Sequence, residues 1–134
     1  MNLEINNVMK MILLTNTIAL LLYSCGLIKT RDEVQEFIPG TYIRFSEQEY
    51  GTEYDTLVIL LQNKAANEYR ILRKWKYERV LDGKRIEPEY KRVISSGIYN
   101  TTHKLLQENE SGDIFSFDFT QHLLFNGPIK YQKL

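Results

Sequence analysis

Residues 68–81 read EYRILRKWKYERVL. Odd positions carry Tyr69, Ile71, Arg73, Trp75, Tyr77 and Arg79, and even positions carry Arg70, Leu72, Lys74, Lys76, Glu78 and Val80. A period of two separates an aromatic face from a charged one, which is the behaviour of a strand. In a helix Tyr77 would lie about 200° around the axis from Trp75. The β-branched and aromatic content favours the strand. An internal odd face would make Trp75 a core residue, with Lys74 and Lys76 as its solvated neighbours.

The flanking sequence repeats the pattern in shorter units. Gly40–Phe45 (GTYIRF) alternates, and Ser46–Asp55 reads as a polar connection. Thr56–Asn63 (TLVILLQN) is a continuous apolar run, as in a strand covered on both faces. Asp82-Gly83 is a turn signal, and Lys84–Arg92 reads as a charged irregular excursion broken by Pro88. Val93–Asn100, Lys104–Asn109 and Asp113–Phe119 are further strands; Phe115, Phe117 and Phe119 alternate with Ser116 and Asp118. HLLF and IKYQKL flank Asn126-Gly127, a strong hairpin signal, and Pro128 places the last strand at an edge or at its unpaired start. The pattern is all-β: an antiparallel meander of seven to eight short strands, forming a small barrel or a strongly curved sheet.

The 134 residues fit one globular domain, with 43% hydrophobic and 25% charged residues. Seventeen bases balance seventeen acids, so no overall field draws the chain to nucleic acid. Removing residues 1–24 takes away Glu4 and Lys10 and leaves 16 of each sign.

The N-terminal segment supplies the address. Met11–Leu22 is uncharged for twelve residues, with Lys10 before it. That is short for a spanning helix of about 20 residues. It fits the apolar region of a signal peptide, about 7–15 residues long. Met9-Lys10 offers a more regular start than MNLEINNV. The single cysteine, Cys25, follows Leu22-Tyr23-Ser24 and precedes Gly26. Leu22, Ser24, Cys25 and Gly26 resemble the lipobox of bacterial lipoproteins; Tyr23 is bulkier than usual there. The resemblance implies a Cys25 thiol carrying diacylglycerol and cleavage before it. The expected organisation is a signal peptide over 1–24, a tether over 25–36 and an antiparallel β domain over 37–134, with a short helical turn allowed at Arg31–Phe37.

The overall plan resembles the small lipocalin-like lipoproteins of Bacteroidota over most of the mature chain; the functions of that family are largely unassigned. The resemblance rests on the lipobox, on Ile38-Pro39-Gly40-Thr41-Tyr42, on Asp55-Thr56-Leu57 and on Gly127–Tyr131. It implies a lipid-anchored position in the cell envelope, at the outer membrane facing the periplasm. It also marks Thr56 in Asp55-Thr56-Leu57 as an O-glycosylation acceptor, provided that it stands at an exposed strand start.

Tests for chemistry point away from catalysis. His103 and His122 have no ligand partner at metal spacing, so no metal or other cofactor is expected. There is no G-x-S-x-G, and Glu87 and Glu89 read as a solvated loop. The basic run around Trp75 has a composition suited to single-stranded nucleic acid, but the balanced charge and the envelope address oppose that partner. Tyr69, Arg73, Trp75, Tyr77 and Arg79 remain as ligand-facing candidates, with the arginines paired to a carboxylate such as Asp118 or to an anionic ligand. The first expectation is a non-enzymatic binding module for an envelope protein or a small apolar ligand. The alternative is a structural accessory lipoprotein of a conjugation or secretion apparatus, and a small envelope hydrolase comes third.

Overall fold

The computed structural model describes residues 4–12 and 31–134. Residues 4–12 are helical, and no helix among the described residues is long and apolar enough to cross a membrane. Cys25 and the lipobox-like stretch lie outside the described residues.

The second compact unit runs from Asp32 to Leu134. Helix α1 (Glu33–Phe37) leads into nine strands: β1 (Gly40–Gln48), β2 (Gly51–Asn63), β3 (Glu68–Leu81), β4 (Lys84–Arg85), β5 (Glu89–Asn100), β6 (Leu105–Glu108), β7 (Ile114–Asp118), β8 (Leu123–Asn126) and β9 (Ile129–Lys133). All pairings are antiparallel, and β9 returns to β1, so eight strands close into an up-and-down barrel of lipocalin-like architecture. The two-residue β4 is an appendage of β3. The closing seam is brief, with Tyr42 opposite Lys133, Ile43 opposite Gln132, and the Leu134 N–H donating to the Thr41 carbonyl at 2.9 Å.

Local chemistry fixes the turns. Leu81 pairs with Lys84 across Asp82-Gly83, whose φ values of 49° and 74° are those of a type I′ loop. At the last hairpin Asn126 pairs with Ile129, so the loop is Gly127-Pro128 rather than Asn126-Gly127. Proline cannot take a positive φ or donate to the ladder. Gly127 therefore supplies the positive φ, at 56°, and Pro128 stays out of the strand.

Three expectations are corrected. Ser46–Asp55 is a hairpin, not a connection: Phe45 pairs with Tyr54 and Ser46 with Glu53. Its polar side chains gave no apolar signal, yet its backbone is paired on both arms, with Glu49 and Tyr50 as the loop. Only Leu57 and Ile59 of the apolar run are buried, while Leu60 and Leu61 are exposed, because the barrel covers β2 on one face. The charged excursion contains β4 and the start of β5 from Glu89.

Tyr42, Leu57, Ile59, Tyr69, Ile71, Tyr99, Leu106, Phe115, Leu124 and Tyr131 fill one end of the barrel. Inward-facing Gly97 makes room there: a Cβ on it would lie 2.9 Å from the Gln107 carbonyl. Val34, Phe37 and Ile38 pack against this core, so α1 plugs the filled end. The Tyr42 hydroxyl donates to the Phe37 and Ile38 carbonyls at 3.0 and 2.8 Å. Residues 32–36, expected in the tether, thus belong with the barrel.

Asp32 is the latch of this plug. It caps α1 by accepting from the Gln35 N–H at 3.1 Å, and also accepts from Lys104 Nζ at 2.6 Å and the Tyr99 hydroxyl at 3.2 Å. Burial works against its charge, but the bonds from Lys104, Gln35 and Tyr99 outweigh it and hold the carboxyl below its ordinary range. A depressed folded-state pKa stabilises above the unfolded value, and the contribution is lost as pH falls through the folded value. Hydrogen exchange should therefore show the Glu36 and Ile38 amides losing protection below about pH 4. Asp32→Asn keeps the cap but should remove this acid-dependent step. An unchanged acid profile in Asp32→Asn would locate the latch elsewhere.

The open end of the barrel as candidate functional site

The strands are of two lengths. On β5 only Gly97–Asn100 pair with β6, and on β1 only Tyr42 and Ile43 pair with β9. The distal parts of β1, β2, β3 and β5 therefore project past the short strands as a curved sheet. Their inward faces carry Arg44, Glu53, Asp55, Arg73, Trp75, Tyr77, Lys91 and Val93. This is the open end, opposite the α1 plug.

A buried ion pair forms its floor. The Asp55 side chain is fully buried and accepts from Arg73 Nε at 3.1 Å, from Arg73 Nη2 at 2.5 Å and from the Tyr131 hydroxyl at 2.9 Å. The bonds from Asp55 raise the arginine pKa further, against the opposing effect of burial, so Arg73 stays a cation. Burial, and then the Asp55 charge, push the Tyr131 phenol up, so it remains a neutral donor. Among the described residues no buried side-chain nitrogen or oxygen lacks a partner.

Above the floor, Glu53 joins two strands. It accepts from Trp75 Nε1 at 2.8 Å and pairs with Arg44 at 3.3 Å. The Trp75 and Tyr77 rings stack with centroids 5.8 Å apart and planes 13° apart. On the facing wall Glu108 accepts from Ser95 and, at 2.5 Å, from Ser111, while Asp113 accepts from Asn126 at 3.2 Å. Between these walls lies a cleft of about 400 Å³ lined by Arg73, Trp75, Lys91, Val93, Glu108, Ser111 and Asp113. It pairs an apolar strip, Trp75 and Val93, with charges of both signs.

The odd face of β3 is thus internal from Tyr69 to Tyr77, but its residues meet different surroundings. Tyr69 is 1% exposed at the filled end, so it is a core residue rather than a ligand-facing one. Arg73 and Trp75 line the cleft, and Tyr77 backs Trp75. Trp75 is half-buried, not a core residue. Arg79 is exposed near the strand end, 3.8 Å from Glu89. Asp118 takes no part: it accepts from Thr120 and Gln121 in its own turn, and Asp55 is the partner of Arg73. Thr56 sits mid-strand between Ile43 and Lys74, not at the exposed strand start that glycosylation requires. Asp55 and Glu108 did leave a trace in the sequence. Each shares the inward parity of its strand, with Leu57 and Ile59 or with Leu106.

Comparison of the chain with protein-family models, with curated proteins and with solved structures finds no match.

Proposed function

We propose that this chain is a lipid-anchored protein of the bacterial cell envelope whose barrel is a non-enzymatic binding module, taking a small ligand with an apolar body at its open end. The observation that carries this reading is the cleft left where the long strands overrun the short ones. An apolar ligand inside the barrel itself is not accommodated, because Tyr42, Tyr69, Tyr99 and Tyr131 occupy that space. The cleft instead offers one aromatic wall and fixed charges, the mix of surfaces that orients a small ligand. The lipid anchor is carried by the resemblance of Leu22–Cys25 to a lipobox.

The chain has one tryptophan, and it lines the cleft. Titration with 8-anilinonaphthalene-1-sulfonate, an aromatic anion, should quench Trp75 emission saturably by energy transfer to the bound dye. Val93→Asp places a charge on the apolar strip at an exposed rim position and should weaken the dye about tenfold, an effect of about 1.4 kcal/mol. Dye binding that leaves Trp75 emission unchanged, or that ignores Val93→Asp, would overturn the cleft as the site.

A second reading, docking of the barrel against a larger surface, is favoured by the apolar and aromatic residues on the outside of the same long strands.

A further inference from the structure

Across the outer face of β1, β2, β3 and β5 one continuous register row reads Phe45, Tyr54, Lys76 and Tyr90. The next row reads Ile43, Thr56, Lys74 and Arg92. Phe45, Tyr54 and Tyr90 are 59%, 38% and 72% exposed, and Ile43 is 40% exposed. Exposed aromatics in one row are costly to leave in water without a purpose. Here they are also held in place: the Phe45 and Tyr54 rings meet edge to face at 5.3 Å, and Lys76 Nζ lies 5.2 Å from the Tyr54 ring centre.

The charge on these rows is one-sided. Lys74, Lys76 and Arg92 stand together; the acids of the adjoining row are Glu78, ion-paired with Lys76, and Glu47, two strands away on β1. Neither Lys74 nor Arg92 forms an ion pair among the described residues. In a chain of formal net charge zero these two rows carry a local positive excess, concentrated on β3 and β5. Rings with a polar tip beside lysine and arginine are the composition that settles at the boundary of an anionic bilayer.

We infer that the outer face of β1, β2, β3 and β5 is a docking surface for anionic phospholipid, with Phe45, Tyr54 and Tyr90 entering the headgroup layer and Lys74, Lys76 and Arg92 meeting its phosphates. The inference rests on the envelope reading for a membrane close at hand. The face lies on the opposite side of the same strands from the cleft, and the two share Trp75 and Lys91 at their border.

The test uses the full chain carrying Cys25→Ser, so that no thioether-linked lipid can hold it, sedimented with two kinds of vesicle. One is phosphatidylcholine alone, and the other contains a third phosphatidylglycerol. The N-terminal stretch, with Lys10, is common to the parent and every variant, so the readout is the change in the ratio between the two vesicles on substitution of the face. The parent should favour the anionic vesicles at least tenfold, and 0.5 M salt should erase the preference. The triple variant Lys74→Ala/Lys76→Ala/Arg92→Ala should lose it, at about fivefold per base. Phe45→Ser/Tyr90→Ser should weaken binding to both vesicles. A parent without preference, a preference that survives salt, or a folded triple variant that keeps it would overturn the proposal. So would capture of poly-glutamate or single-stranded DNA in place of anionic vesicles. Because Cys25→Ser removes the acylated thiol in every arm, failure here is separable from failure of the anchor, which is read by fatty-acid labelling, and of the cleft, which is read by Trp75 quenching.

Discussion

Arg73→Ala should destabilise the barrel by about 2–4 kcal/mol in urea unfolding. Breaking a buried ion pair typically costs 3–5 kcal/mol, because the remaining charge stays buried without compensation. The figure is reduced here because the Arg73 side chain is 39% exposed and water can partly replace it, whereas Asp55 is fully enclosed. The asymmetry is itself testable. Asp55→Asn leaves an exposed-side cation that water can solvate, so it should cost less than Arg73→Ala. Tyr131→Phe removes a single hydrogen bond and should cost about 1 kcal/mol. Replacing both charges together with the hydroxyl that Asp55 accepts from, as in Asp55→Leu/Arg73→Met/Tyr131→Phe, should recover most of the loss, since an apolar cluster of similar volume needs no compensation. An Arg73→Ala protein within about 0.5 kcal/mol of the parent would mean that the pair behaves as an ordinary surface contact.

The second large effect concerns the anchor. In bacteria grown with a labelled fatty acid, the chain should carry the label, and Cys25→Ser should abolish it and leave the precursor uncut. The effect is all or none because Cys25 is the only thiol in the chain. Each buried methylene contributes about 0.8 kcal/mol to anchoring, so acyl chains at one residue suffice for stable attachment. A Cys25→Ser protein that is processed normally and stays on the membrane to the same extent would end the lipoprotein reading.

Where the chain signalled its structure and where it did not has a physical pattern. The limits of β3 were legible to the residue, because its aromatic residues keep one parity and turn residues bound the run on both sides. Of the short strands β6 to β9, the hairpins closed by Ser111-Gly112 and Gly127-Pro128 were legible from their turns, where glycine admits a positive φ that other residues resist. The distal halves of β1 and β2 were not. There the chain has left the core, and polar residues such as Ser46, Glu47 and Thr52 are held by the ladder and by neighbouring strands rather than by burial. The same cause hid most of the candidate site. Arg73 and Trp75 could be named from parity alone, but their partners Asp55 and Glu53 and the facing Glu108, Ser111 and Asp113 come from other strands. Only barrel closure brings these walls together. Tyr69 was misplaced for the converse reason: parity says which face a residue is on, not how far along the barrel the packing extends.

The seam between β1 and β9 has a consequence for how the molecule assembles. Nearly every other pairing joins strands that are neighbours along the chain, so hairpins can form early at small cost in loop entropy. Tyr42 and Lys133, by contrast, meet from opposite ends of the domain, and only two register pairs await them. By sequence separation closure is expected to come last, and until it occurs the ribbon has two bare edges. A chain halted at that stage exposes β1 and β9 as templates for strands of another molecule. The last few residues, Tyr131 to Leu134, are then the ones whose pairing seals the barrel against such templating.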